Sequence, residues 1–202
     1  MNSVSVIQCQ AAPLPYDDVD TDQIIPARYL TTVSRSGLGE GLFHAWRYRD
    51  DGSENRDFVL NRPEHKDASV IVSGHNFGSG SSREHAVWAL LDYGIKAVIA
   101  PSFADIFQNN SLKNGLIPVQ LNESEVEILF GLLQEDPMLK LVIDLKSQMV
   151  NTPQRHSFRF ELSPFRKECL MKGLDDLGYL LDRLPRIEEY EALASEEFAQ
   201  ST

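Results

Sequence analysis

Between residues 68 and 136 the apolar positions alternate between short continuous runs and longer stretches with helical spacing. Ser69–Ser73 (SVIVS), Lys96–Ala100 (KAVIA) and Leu116–Leu121 read as buried strands, since runs of this length bounded by turn residues suit a covered sheet. Between them the spacing predicts helices over Arg83–Tyr93, closed by Gly94, and Ser102–Lys113, ended by Asn114-Gly115. A third helix starts at Asn122, with Glu125 three residues on as capping-box partner, and stops before Pro137. The flanks differ. Residues 5–12 read as a strand, residues 41–49 as a helix, and Leu139–Leu145 with His156–Leu162 as a hairpin pair. Ser163–Gly173 is an amphipathic helix, and the chain from Arg186 on is acidic and helix-prone. Two polar stretches, Pro13–Gly41 and Asp50–Lys66, have no periodicity; the first is long for a loop, and loops of that length tend to carry function. Strand–helix alternation with β-rich flanks predicts an α/β chain: a three-layer β/β/α domain with a mixed sheet over residues 1–185, and a helical extension or tail over 186–202.

Composition narrows the function classes. The 202 residues suit one domain, and no apolar run reaches the roughly 20 residues that span a bilayer. The first residues, MNSVSVIQCQAAPLP, carry neither a basic nor a long apolar leader region, so a soluble cytoplasmic protein is expected. A net charge of −11 disfavours nucleic-acid binding, which needs a basic surface to neutralise phosphate. It also draws attention to arginines beside glycine-rich turns, where an anionic substrate would have to find its cations. Two cysteines, Cys9 and Cys169, are too few to hold an iron–sulfur cluster, and the five histidines show no zinc-ligand spacing, so no metal site is expected in this chain.

Candidate chemistry concentrates in Gly74-His75-Asn76-Phe77-Gly78-Ser79-Gly80-Ser81-Ser82-Arg83-Glu84-His85, between a predicted strand and a predicted helix. Small residues let the backbone approach a ligand, and a helix start favours an anion. The turn has no lysine for a phosphate-binding loop, and Arg83 stands where a dinucleotide fingerprint needs its third glycine. Two readings of Ser81 stay open: the N-cap of an S-x-x-E capping box with Glu84, or a functional hydroxyl. Arg83 reads equally as a carboxylate ligand or as half of an ion pair. Glu84 reads as structural, and His85 as a buried hydrogen-bonding side chain. A second cluster, Asp18-Val19-Asp20-Thr21-Asp22-Gln23, lacks the glycine and distal glutamate of a calcium loop and by itself suggests an Asp-rich turn capping a short helix.

Taken together, NFGSGSSREH, VDTDQIIPARYL, APSFADIFQNN and FRKECLMKGLDDLGYLL resemble the small subunits of the aconitase superfamily, in the isopropylmalate dehydratase branch, along nearly the whole chain. The resemblance implies the swivelling β/β/α domain and a hydro-lyase that isomerises 2-isopropylmalate to 3-isopropylmalate by dehydration and rehydration in leucine biosynthesis. It implies activity only with a large subunit, whose four-iron–four-sulfur cluster would act on the leaving hydroxyl. It assigns the proton-carrying serine to Ser81 and the binding of a substrate carboxylate to Arg83. Gly80 and Ser82 in the turn, Thr21 and Asp22 in the facing motif, and Leu30 and Thr31 as side-chain pocket complete the expected substrate site. Leu30 between Tyr29 and Thr31-Thr32 favours an apolar substrate group over the anionic one of homoaconitate. Two positions depart from the common pattern: Ser79, where many members have Cys, and Val87, where many have Pro. The alternatives are a related small subunit acting on homoaconitate, citraconate or dimethylmalate, and a self-standing anion-binding domain.

Overall fold

A computed structural model describes residues 3–30 and 34–191. One seven-stranded mixed sheet runs through the domain, in the order β4-β3-β2-β1-β5-β6-β7. Its parallel half is β1 (Val6–Leu14), β2 (Ala68–Ser73), β3 (Ala97–Ala100) and β4 (Ile117–Gln120). Its antiparallel half is β5 (Lys140–Asp144), β6 (Met149–Asn151) and β7 (Ser157–Arg159), joined to the first half through the β1–β5 pairing. The helices are α1 (Thr21–Ile24), α2 (His44–Arg47), α3 (His85–Tyr93), α4 (Asp105–Asn114), α5 (Glu123–Glu135), α6 (Pro164–Lys172) and α7 (Asp176–Asp182). Residues 184–191 are helical again. The mixed α/β fold is the one expected from the sequence.

Both faces of the parallel half are covered, which is why its strands read as unbroken apolar runs. Leu14, Ile71, Val98 and Ala100 face α3 and the short helices of the 38–60 region. Val70, Val72, Ala97 and Ile99 face α5, and Leu141, Ile143, Val150 and Phe158 of the antiparallel half join that second cluster. The helix ends follow local chemistry. Gly94 (φ 110°), Gly115 (φ 90°) and Gly173 (φ 71°) close α3, α4 and α6 in the left-handed conformation that glycine adopts without strain. At the start of α5 the Glu125 carboxylate accepts from the Asn122 backbone N–H at 2.9 Å, as the S/T/N-x-x-E pattern predicted.

Three expectations need correction. The expected hairpin between Leu139–Leu145 and His156–Leu162 is absent: β5 pairs with β1 and β6, and β7 pairs with β6. The short strand β6 turns back from β5 through Gln148, at φ 56°, in a turn held by Asp144 accepting from the Lys146 N–H at 2.8 Å. The helix expected over 41–49 is only the four residues of α2, entered through Phe43 in the left-handed region at φ 46°. The helix expected from Arg83 begins two residues later, and the S-x-x-E box is not formed: Glu84 occupies the N-cap position, without a side-chain cap.

Candidate functional site

The two motifs lie side by side because β1 and β2 pair in parallel, with Leu14 opposite Ser73. The segments that follow, Pro15–Asp20 and Gly74–Glu84, therefore leave the sheet at the same carboxyl-terminal edge, where open α/β sheets bind ligands. A ladder of bonds fastens one to the other. The Asp18 N–H donates to the His75 carbonyl (2.8 Å), Gly78 N–H to Val19 (2.7 Å), and Thr21 N–H to Ser79 (2.9 Å). The Asn76 side-chain amide donates to Asp18 (2.7 Å), and the Asp17 carboxylate accepts from the His75 N–H (2.7 Å). The segment after β3 joins as well, since the Asn76 N–H donates to the Ser102 hydroxyl (2.8 Å) and Phe77 forms a parallel bridge with Phe103.

Two glycines make this approach possible. Gly78 (φ 81°) and Gly80 (φ 98°) take conformations that side chains resist. A Cβ on Gly78 would fall 2.1 Å from the Phe107 ring, and one on Gly80 would press on the Thr21 hydroxyl at 3.3 Å.

Asp20 organises the facing strand of the site. Its carboxylate caps α1, accepting from Asp22 N–H (2.8 Å) and Gln23 N–H (2.7 Å), while the Gln23 side chain accepts from the Asp20 N–H (2.9 Å). The Asp-rich stretch is thus a helix cap, as its spacing suggested; the D-x-x-Q capping signature was visible in it and marks Asp20 as a supporting residue. Capping fixes Thr21 at the first turn of α1, buried, with its hydroxyl 2.9 Å from that of Ser81. The Ser81 N–H donates to the same Thr21 oxygen at 3.1 Å. The two hydroxyls share one hydrogen bond that either can donate, and the Thr21 oxygen also accepts from the Ser81 backbone. The Ser81 hydroxyl is therefore engaged across the site, not at the helix end.

Beside this pair Arg83 makes an ion pair with Asp22 through one guanidinium nitrogen. Both are partly exposed, so the pair adds little stability, ~0–1 kcal/mol, but it holds the guanidinium at the mouth of the turn. Ser82 is exposed, and its carbonyl accepts from Asn110 of α4 at 3.3 Å. Glu84 accepts from Asn114 at 3.1 Å, a structural contact as expected. His85 is only half-buried and lies against Trp88, with ring centroids 4.7 Å apart. The structure thus brings together Thr21, Asp22, Gly80, Ser81, Ser82 and Arg83. Leu30 is half-buried against the α3-side core, and Thr31 and Thr32 lie outside the described residues. Val87, in the first turn of α3, is at a place where proline is also tolerated, so that departure leaves the helix start unchanged.

The donor set of this chain does not fit an iron–sulfur cluster. Cys9 on β1 and Cys169 on α6 are both buried, and burial pushes the Cys9 thiol up to about 12. No group of three or more potential metal-ligating side chains occurs among the described residues. Among those residues no helix is long and apolar enough to cross a membrane.

Comparison with known proteins agrees with this geometry. The aconitase C-terminal domain family matches residues 1–124. The 3-isopropylmalate dehydratase small subunit of Roseiflexus castenholzii is 53% identical over 192 residues, covering 95% of this chain and 94% of that protein. The protein of the same name from Chloroflexus aurantiacus is also 53% identical, with 95% and 96% covered. The crystal structure of 3-isopropylmalate dehydratase from Methanocaldococcus jannaschii superposes with a TM-score of 0.66 at 33% identity, covering 92% of this chain and 99% of that one. A glycine-rich turn fastened to a TD motif at the edge of a mixed sheet, and likeness along nearly the full length, make this chain a member of the aconitase C-terminal domain family, among the small subunits of 3-isopropylmalate dehydratase.

Proposed function

We propose that the chain is the small subunit of a cytoplasmic hydro-lyase that interconverts 2-isopropylmalate and 3-isopropylmalate in leucine biosynthesis, and that Ser81 carries the proton. The observation that carries this reading is the Ser81–Thr21 hydroxyl pair: Ser81 is not spent on capping α3, and the buried Thr21 hydroxyl lies 2.9 Å from its oxygen, where it would donate to an alkoxide. A serine alkoxide is unfavourable at rest, and a fixed donor at its oxygen lowers the cost of reaching it. Ser81 Oγ would accept the proton from carbon as water leaves, and return it when water adds to the other carbon. Arg83 would bind a substrate carboxylate with the part of its fork that does not face Asp22, and Asp22 would hold that fork in place. Gly80 and Ser82 would let the substrate approach the backbone, and Leu30 and Thr31 would line the side of the isopropyl group.

The cluster implied by the resemblance is assigned to the large subunit, since the thiols here do not fit it. The isolated chain is therefore expected to be colourless, iron-free and inactive. Iron analysis and an absorption spectrum of the purified chain check this; a cluster band with stoichiometric iron would contradict it. In the complex, a substrate panel separates isopropylmalate from homoaconitate, citraconate and dimethylmalate, with turnover of isopropylmalate expected to dominate.

Thr21→Val tests the hydroxyl pair. It keeps the shape but removes the hydroxyl that meets Ser81. A hydrogen bond to a charged group contributes about 1.5–3 kcal/mol, so kcat should fall roughly 10- to 100-fold. KM should change little, because Thr21 is expected to act on Ser81 more than on bound substrate. Unchanged kcat in the assembled complex would rule the pair out as part of the chemistry.

A further inference from the structure

One side of α4 and of the residues just before it lies against the whole glycine-rich turn. Phe103, Phe107, Asn110 and Asn114 recur at steps of four, three and four, the spacing that puts side chains on one face of a helix. The apolar half of this face sets the first part of the turn: Phe103 forms a bridge with Phe77, and the Phe107 ring fills the space beside Gly78. Its polar half sets the last part. The Asn110 side-chain amide donates to the Ser82 carbonyl at 3.3 Å, and that of Asn114 donates to the Glu84 carboxylate at 3.1 Å. The Asn114 orientation follows from its third neighbour. Its oxygen accepts from the Trp88 indole N–H at 2.9 Å, and an indole can only donate. The Asn114 amide also donates to the Asn110 carbonyl at 2.9 Å, so the two asparagines form one unit. Asparagine is a poor residue for a helix interior, because its side chain competes for nearby backbone groups. The place of Asn110 on an inward face is therefore explained by what it contacts and not by the helix.

Arg83 stands between the two residues that this unit holds. Among the described residues no backbone–backbone hydrogen bond reaches Ser82 or Arg83, and α3 has no side-chain cap at its start. The stretch is placed instead by side chains: Thr21 at Ser81, Asn110 at Ser82 and Asn114 at Glu84. A guanidinium recognises a carboxylate through a planar fork, which has to be aimed as well as charged. Asp22 meets one nitrogen of that fork, so the part left for a substrate depends on where residues 82–84 sit. We infer that Asn110 and Asn114 are positioning residues for substrate binding, acting through Arg83, which they aim. The inference rests on the functional reading above, in which Arg83 binds a substrate carboxylate. It separates two supports of one turn: Thr21 acts on Ser81 and so on kcat, whereas the asparagines act on Arg83 and so on KM.

The test is steady-state kinetics of the complex assembled with the large subunit, with thermal melts of each chain. Asn114→Asp is close in shape and can still accept from Trp88, but it cannot donate to Glu84 and sets a second carboxylate against it. KM for isopropylmalate should rise roughly five- to tenfold while kcat stays within about threefold, the pattern of a displaced binding group. Adding Glu84→Gln should bring KM back to within about twofold, because the introduced amide can donate to the introduced carboxylate. Asn110→Ala should raise KM in the same direction and by less, since its contact is longer. In an Arg83→Lys background Asn114→Asp should raise KM no further, because the fork it aims is gone. A general loosening of the fold would raise KM in both backgrounds. Unchanged KM in Asn114→Asp or in Asn110→Ala, an equal rise in the Arg83→Lys background, or no recovery with Glu84→Gln would each overturn the inference. Should Asn114→Asp fail to assemble, Glu84→Ala removes the same bond from the α3 side, and the same rise in KM is required of it. Arg83→Lys that by itself leaves KM unchanged would overturn the reading of Arg83, and this inference with it.

Discussion

Replacing Ser81 with alanine is expected to cut turnover of the assembled enzyme by at least about 100-fold, the usual lower scale of a general acid–base contribution, while leaving the fold intact. The structural reason for expecting an intact fold is specific. Were Ser81 an N-cap, its loss would cost about 1 kcal/mol. The helix instead begins at His85 behind Glu84, and the Ser81 hydroxyl meets Thr21. KM should stay near that of the unmodified enzyme, because a proton carrier acts in the transition state. Arg83→Lys should fail in the other way. Lysine keeps the charge but loses the planar fork that matches a carboxylate and that Asp22 now holds. Its main effect should be a raised KM. Steady-state kinetics on the complex, with thermal melts of each chain, separate the two outcomes. A Ser81→Ala enzyme that assembles and turns over within a few-fold of the unmodified one would remove Ser81 from the mechanism.

Gly78→Ala is expected to have the largest effect on stability of any single methyl group added in this site. The residue sits at φ 81°, and its Cβ would lie 2.1 Å from Cγ and 2.5 Å from Cβ of Phe107. That ring cannot move aside easily: it is buried, 5.3 Å from Phe77 and 6.4 Å from Phe103 between centroids. A left-handed conformation costs a side chain roughly 1–2 kcal/mol, and overpacking a filled core about 1–3 more. Their sum, about 2–5 kcal/mol, corresponds to a melting temperature lower by roughly 5–15 °C for a domain of this size. Because Gly78 N–H is bonded to Val19, the shift should also loosen the ladder that sets Thr21 against Ser81. Hydrogen exchange at Gly78 and Thr21 should therefore speed up. A variant that melts within 1 °C of the unmodified chain would contradict the packing described.

The parallel half of the fold was readable because its strands are covered on both faces and its helices end at glycines. Ile71 and Val98 on one side and Val70 and Ile99 on the other make each run continuous, and Gly94 and Gly115 mark where the helices stop. The antiparallel half was less so. β6 has only the three residues Met149–Asn151, one of them apolar and fully buried, too short for an alternating pattern to emerge. At the site, local pattern and tertiary structure compete. Ser81 and Glu84 have capping-box spacing, yet a hydroxyl 60 residues away in sequence meets Ser81 instead, and the helix starts only at His85. That Thr21 and Ser81 face each other follows from parallel pairing of β1 with β2, which no local window contains. The contact of Arg83 with Asp22 likewise joins residues 61 positions apart, which no local window contains.

The central claim is that this chain supplies half of an active site that a separate large subunit completes. It is tested most directly by titrating a fixed amount of the large subunit with this chain and following interconversion of 2-isopropylmalate and 3-isopropylmalate. Each chain alone should be silent, and activity should rise with added chain to a plateau at a fixed ratio of the two. Full activity from either chain by itself, or a large subunit whose rate does not change as this chain is added, would contradict the account.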